Sequence, residues 1–302
     1  MTTHTITPAA QAAPCSGTRW QGNGVSDIRR RMVDRVATAL CWAATVLVLL
    51  MLFSILFVLV RNGVGGLRWV TFVHVTLPPG QAGGLANAIV GSLIQTGLAV
   101  LIGAPVGLLV GIYLAEFTAT DGKLINFVRF VSDLLLSAPS ILVGLFIYMI
   151  VVVPSGHFSG LAGALALSML VVPVVVRTTE DMLRLVPLAM REAAIALGAP
   201  RWRMILFVCL RAAREGVATG ILLALARVSG ETAPLLFTSL GNMNWSIAPG
   251  KPMASLPVTI YQYAGAAYAD WTALAWTGAL LITAGILMIN ITVRLGLGRN
   301  RK

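Results

Sequence analysis

The feature that most constrains this chain is a run of 25 residues, Val36 to Val60, without one charge and closed by Arg35 and Arg61. Hydrocarbon offers no water to backbone N–H and C=O groups, so such a run crosses a bilayer as a helix that satisfies its own backbone. It exceeds the roughly 7–15 apolar residues of a signal-peptide core, and no convincing small-residue cleavage site follows it. We therefore read a retained first transmembrane helix over 36–60, after a polar tail, 1–35, expected to be largely disordered. Composition agrees, since 57% of the residues are hydrophobic and only 11% are charged, against about a quarter charged in a soluble domain.

Five more apolar runs follow. The second span lies within Ala86–Ala115, with Gly103, Gly107 and Gly111 on one face and Pro105 as a possible kink point. Small residues at this spacing let a neighbouring helix approach closely, which predicts a packing seam. The third span covers 134–153, with Pro139 and Ser140 in its first turns. The fourth covers 161–176, the fifth about 216–240 and the sixth 271–293. The expected class is an all-α, polytopic membrane protein with six transmembrane helices and both termini on one side. Between spans five and six, 241–270 contains apolar "MASLPVTIYQYA", which predicts a short helix or re-entrant segment packed on the outer mouth.

Charge placement sets the orientation. Eighteen of the 22 basic residues fall in the N-terminal tail, the loop with Lys123 and Arg129, the segment Arg177–Arg214, and the C-terminus. Only Arg61, Arg68 and Lys251 fall on the other side. The excess of Lys and Arg marks the cytoplasmic side, which predicts cytoplasmic N- and C-termini. The net charge of +11 is thereby explained by topology, and no nucleic acid partner is called for. Cys15, Cys41 and Cys209 fit no disulfide or metal pattern, and His4, His74 and His157 are scattered, so we expect no metal site.

The segment "RTTEDMLRLVPLAMREAAIALGAPRWRMILFVCLRAAREG" is the most organised part outside the membrane. Pro187 suits the first position of a helix. Gly198 supplies a left-handed stop, and Pro200 prevents continuation. A free-standing helix over Leu188–Leu197 follows, with Arg191 and Glu192 charged and Ala193 and Ala194 small. Either it lies on the membrane surface as an amphipathic helix or it enters a groove on a partner.

The fifth span carries two charges, Arg227 and Glu231, in "ARVSGETAPLLF". A charge at a helix centre costs roughly 2.5–3.5 kcal/mol on insertion scales, so such residues face protein interior or a water-filled path. The two are four apart and share a helix face. Arg precedes Glu, the poorer order for a self-neutralising pair. Pro234 cannot donate to the carbonyl of Gly230, and Gly230 adds slack, so a kink is expected there. Ser229 and Thr232 add hydroxyls that can satisfy freed backbone groups or a substrate. The turn is read as kinked, polar and interior-facing, and the guanidinium as a donor for a tetrahedral oxyanion. A purely structural ion pair is the alternative.

The residues also carry a family resemblance. "REAAIALGAPRW" resembles the EAA loop of ABC importer permeases. "GGLANAIVGSL", "PSILVGLF", "RTTEDMLRLVP", "ARVSGETAPLLFT" and "PMASLPVTIYQYA" occur in this order, and together resemble the PstA-type permeases of phosphate-specific importers over roughly Gly83–Arg294. The resemblance implies a type I ABC importer permease fold, with a core over 83–296, a basic tail over 297–302 and a cytoplasmic coupling helix at about 187–198. Arg191, Glu192, Ala193, Ala194 and Gly198 would then meet an ATP-hydrolysing subunit. Arg227, Glu231, Ser229, Thr232, Pro139 and Ser140 would form the phosphate path or its gate. The implied partners are a second permease chain (PstC-like), two ATPase subunits (PstB-like) and an extracytoplasmic phosphate-binding protein (PstS-like), besides membrane lipid. ATP and Mg would sit on the ATPase subunits. This chain contains no G-x-x-x-x-G-K-[ST] sequence and is expected to have no ATPase site and no cofactor of its own. One departure stands out: Arg211, in "CLRAAREG", occupies the place of a family proline, which leaves the entry to span five able to stay helical. The alternatives are a permease for another oxyanion, such as sulfate or molybdate, and an ATP-independent channel or carrier.

Overall fold

The computed structural model describes residues 24–81, 83–117 and 122–298, with the backbone alone for 24–28, 294 and 296–298. It contains two units, 1–56 and 57–302. Of the first, residues 24–56 are described, and all lie in helix α1 (Gly24–Gly63). The expected disordered tail over 1–35 is thus helical from Gly24 onward, and 1–23 lie outside the described residues. Asp34 and four arginines occupy the early turns, and good helix formers continue without Gly or Pro into the apolar run, so nothing in the sequence stops the helix. From Leu47 to Leu56 the large apolar side chains are exposed, as suits a lipid-facing surface.

The second unit is built around one buried pair of helices. After a 3₁₀ turn (Val64–Gly66) and a short α2 (Trp69–Val73) comes the long α3 (Ala86–Glu116). Helices α4 (Gly122–Ser137) and α5 (Ser140–Ile147) follow, and α5 runs through a π turn (Tyr148–Val152) into α6 (Val153–Ser155). The central helix is α7 (Gly160–Arg184), with Leu167, Val171, Val175, Val176 and Leu183 almost wholly enclosed. Then come α8 (Leu188–Ala196), α9 (Arg201–Arg203), a π turn (Met204–Cys209), α10 (Leu210–Val228), α11 (Ala233–Thr238), α12 (Leu256–Ala264) and α13 (Ala269–Gly298).

The α3–α7 contact runs along the three glycines. A Cβ on Gly103 would lie 2.9 Å from the Val171 Cβ, one on Gly107 2.8 Å from the Val175 Cβ, and one on Gly111 2.7 Å from the Thr179 Cβ. Only hydrogen fits there, so the α3 backbone lies directly against the β-branched side chains and carbonyls of α7. Pro105 lies inside α3 without ending it.

Two spans depart from the sequence reading. The third is not one helix over 134–153, because α4 ends at Ser137 and the chain turns by 105° before Ser140–Ser155. Pro139 is the cause: it disfavours helical geometry at Ala138, and it enters extended (φ −57°, ψ 128°) as the N-cap of α5. The fifth is not one helix over 216–240 either. Helix α10 ends at Val228, Ser229–Thr232 form a non-helical break, and α11 starts at Ala233. Among the described residues, four helices are long and apolar enough to cross a membrane, or five with the bent pair counted as one. The third and fifth spans are thus interrupted, and the helices among the described residues do not confirm the count of six.

Helix α12 packs against α13 and α3, burying Leu256, Val258 and Tyr263. Leu240 (φ 58°) and Gly241 (φ 84°) are both left-handed, which reverses the chain after α11. The segment leading into α12 threads between helices, and a Cβ on Gly91 would lie 2.0 Å from the Ala254 carbonyl oxygen.

Candidate functional site

The break between α10 and α11 is the first site. Ser229 Oγ donates to the Leu225 carbonyl at 2.6 Å, and the Glu231 amide donates to the Val228 carbonyl at 3.2 Å. These bonds close the end of α10 and consume the Ser229 hydroxyl on its own backbone. Pro234 then sits in the first turn of α11, where its missing N–H is harmless. The expected kink is thus a full interruption, and it separates the two charges. Arg227 lies in the last turn of α10 and Glu231 in the break, with no ion pair between them within 4 Å.

Arg227 is exposed on the surface of the single chain, while Glu231 and Thr232 are half-buried. Arg227 therefore points away from the core of its own chain. Its depth follows from the packing of α10 on α7. A Cβ on Gly216 would meet the Met182 side chain and one on Gly220 the Thr178 side chain, so Gly216 lies level with the C-terminal end of α7. Arg227 is eleven residues further on, roughly 17 Å at 1.5 Å per residue. That is about half of the ~30 Å hydrocarbon thickness.

The second broken span joins this region. A Cβ on Gly144 of α5 would lie 2.6 Å from the Pro234 Cα, so the first turns of α5 and α11 are in backbone contact. Exposed Pro139 and half-buried Ser140 start α5 beside this contact. Ser229 also lines an apolar cavity of about 330 Å3 between α3, α10 and α13, with Ser92 and Thr96.

The loop between α7 and α10 is the second site. Pro187 precedes α8, Leu197 caps it, and Gly198 (φ +79°) stops it, with the Gly198 amide donating to the Ile195 carbonyl and the Ala199 amide to that of Ala194. No residue of α8 is buried. Glu192, Ala193 and Gly198 are exposed and Ala194 is half-buried. Around them Leu185, Leu188, Ile195, Leu197 and Trp202 also stand exposed, Leu197 to 89%. Arg191 behaves differently. It turns inward, with Nη1 2.5 Å from Glu116 Oε1 and Nη2 donating to the Leu183 carbonyl at 2.6 Å. Arg211 is exposed and lies within α10, which begins at Leu210 without interruption.

Several residues of consequence were not singled out from the sequence. Glu180 is 2% exposed and takes ion pairs from Arg129 of α4, at 2.8 Å, and from Arg184, at 2.6 Å. Asn87 is buried in the first turn of α3. Its amide donates to the Thr76 hydroxyl and to the carbonyls of Asn242 and Met243, while its oxygen accepts from the Thr76 amide. Gln95 is fully buried, donating to the Ala254 carbonyl at 3.4 Å while its Oε1 has no partner among the described residues. The available signal was the same for Asn87, Gln95 and Glu116: a polar residue in or closing an apolar run.

Comparison with known proteins adds identity to this geometry. The model of the family described as "Binding-protein-dependent transport system inner membrane component" matches residues 107–299. A Yersinia pestis protein, the phosphate transport system permease protein PstA, is 52% identical over 88% of this chain and 90% of its own. The corresponding protein of Xylella fastidiosa strain Temecula1 is 50% identical over 90% of this chain and 95% of its own. A Methanocaldococcus jannaschii protein, described as a probable PstA permease, is 36% identical over 89% of this chain and 95% of its own. Among solved structures, an inward-facing MetNI methionine ABC transporter chain matches with a TM-score of 0.54 and 20% identity, over 69% of this chain and 90% of that one. That match establishes the fold, the type I permease arrangement of helices. Together, the family model and the close relatives across most of the chain show that it belongs to the binding-protein-dependent transport system inner membrane components, as a member of their PstA group.

Proposed function

We propose that this chain is the transmembrane permease subunit of an ATP-driven importer that moves inorganic phosphate across the cytoplasmic membrane into the cell. The observation that carries the reading is Arg227: a permanently charged guanidinium at mid-membrane depth, exposed on the lone chain and without an ion pair among the described residues. Lipid is a poor neighbour for it, so this face meets a second protein or a water-filled path. The break at Ser229–Thr232 beside it leaves backbone groups without helical partners, tolerated at membrane depth where they line a cavity. A second permease chain, PstC-like, placed over this face would enclose a path lined by Arg227, Glu231, Thr232, Pro139 and Ser140. A guanidinium offset by a nearby carboxylate gives weak, releasable anion binding, so capture is assigned to an extracytoplasmic PstS-like phosphate-binding protein.

Energy input is assigned to two PstB-like ATPase subunits carrying ATP and Mg, with this chain contributing no ATPase site. The exposed apolar side chains around α8, with Glu192 among them, support docking of α8 in a cleft of that partner. Lys and Arg placement supports cytoplasmic N- and C-termini.

The test is uptake of radiolabelled phosphate into proteoliposomes holding the whole complex. Arg227→Gln is expected to abolish ATP-driven uptake while all subunits still copurify. Wild-type uptake by that variant removes Arg227 from the path. Competition by sulfate or molybdate equal to that by unlabelled phosphate refutes the substrate assignment.

A further inference from the structure

The charges at the cytoplasmic base lie away from the proposed path, and their arrangement bears on how α8 acts on the membrane helices. Helix α8 is mechanically isolated along the chain. It is entered through Pro187, in an extended conformation (φ −56°, ψ 140°), and left through left-handed Gly198. Neither joint continues a helix, so displacement of α8 is not passed on as the movement of a continuous rod. It has to pass through side chains.

Two routes are available. Half-buried Ala194 packs on the cluster of Met204, Ile205 and Cys209 that leads into α10. The other route is Arg191, the one residue of α8 with an ion pair among the described residues. Its guanidinium reaches two helices at once: Glu116 at the last residue of α3, and the Leu183 carbonyl in the last turn of α7. The planar fork is rigid, so two bonds to two helices fix the orientation of α8 as well as its distance. The Glu116 side chain is 6% exposed and that of Arg191 15%, so the pair is largely removed from water and only weakly screened by salt.

The helices it reaches are packed together. Helices α3 and α7 are locked along Gly103, Gly107 and Gly111. A second arginine repeats the pattern, since Arg129 of α4 donates to Glu180 of α7 and to the Leu114 carbonyl of α3. The cytoplasmic ends of α3, α4 and α7 thus form one tied block, and Arg191 is the tie between that block and α8. Beyond the block the two breaks, at Pro139 and at Ser229–Thr232, are the places where the chain can bend.

We infer that the Arg191–Glu116 pair is the strut through which displacement of α8 by its ATPase partner moves α3, α4 and α7. Arg191 and Glu116 are positioning residues; neither touches phosphate or ATP. The inference rests on the reading of α8 as the ATPase contact and adds the route by which its motion reaches the membrane core.

The test uses the full complex in proteoliposomes, with inorganic phosphate uptake and ATP hydrolysis measured on the same preparation. The variants are Arg191→Gln, Glu116→Gln and the two combined. Glutamine matches Glu116 in size and, in place of Arg191, is shorter and uncharged but still polar, so all three complexes are expected to assemble and hydrolyse ATP. Phosphate moved per ATP is expected to fall roughly tenfold in Arg191→Gln, within the usual span of coupling between sites. Glu116→Gln should lose less, because the glutamine carbonyl still accepts from Arg191. The double variant should be no worse than Arg191→Gln alone, because both substitutions remove one interaction. Unchanged ratios, losses that multiply in the double variant, or failure of all three to assemble each overturn the strut. Absence of ATP-driven uptake in the unmodified complex is a different result: it overturns the functional reading, and the strut with it.

Discussion

Replacing Gly107 by alanine adds one methyl group at the middle of the α3–α7 seam. That methyl carbon would lie 2.8 Å from the Val175 Cβ and 2.9 Å from the Val172 carbonyl oxygen. Carbon atoms in favourable contact sit at about 3.5–4.0 Å, so the helices must part by roughly 0.7–1.2 Å. Neither obstacle can swing away, since one is backbone and the other is the branch point of a β-branched side chain. Overpacking of this kind costs about 1–3 kcal/mol. Against it runs the gain in helix propensity from Gly to Ala, roughly 0.5–1 kcal/mol. Gly97 removes that ambiguity. It lies in the same helix, and a Cβ there would have nothing within 4 Å. Gly97→Ala should therefore show the propensity gain alone, and the difference between the two variants isolates the packing term at about 1–3 kcal/mol. Unfolding in mixed micelles titrated with a denaturing detergent measures both. If Gly107→Ala and Gly97→Ala agree within about 0.3 kcal/mol, the ordinary error of additivity, the seam is not close-packed and the account of the core is wrong.

Two further outcomes follow from the loops. Asn87→Ala leaves the Thr76 amide and the Asn242 carbonyl without their side-chain partner, while the Thr76 hydroxyl keeps only the Met243 carbonyl. It should destabilise by about 1–3 kcal/mol and make 241–254 more susceptible to limited proteolysis, and an unchanged cleavage rate refutes the anchoring role. Gly198→Val forces a β-branched residue to φ +79°, at a cost of at least 1–2 kcal/mol. It should loosen copurification of the ATPase subunits by remodelling the end of α8, and full retention would show that α8 does not need this stop to dock.

How much of this was legible beforehand depends on the range of the interaction. The helical class came from runs such as Val36–Val60, because a backbone in hydrocarbon must satisfy itself locally. The spacing of Gly103, Gly107 and Gly111 announced a seam, and Pro187, Gly198 and Pro200 bounded α8 to within a residue, all from neighbours within a few turns. Gly230 and Pro234 announced a disturbance of the fifth span, yet whether proline kinks or ends a helix depends on what can pack around the gap. Here the backbone contact of Gly144 with Pro234 accommodates a complete break.

Arg191 shows the limit most clearly. Sequence placed it on a helix beside Glu192, and both were read as facing a partner. Tertiary structure gave them opposite directions, because Glu116, 75 residues away, ends α3 where Arg191 can reach it. Arg129 and Glu180, 51 residues apart, meet for the same reason. The sequence by itself determined that the chain must be helical, where its backbone could not remain helical, and which side collected positive charge, since each follows from local backbone chemistry or from counting. Only the packing of α3, α4 and α7 decided which charges pair and which stay open, because an ion pair is set by the distance between helix ends, and that distance is fixed by the close packing of α3 on α7 along Gly103, Gly107 and Gly111.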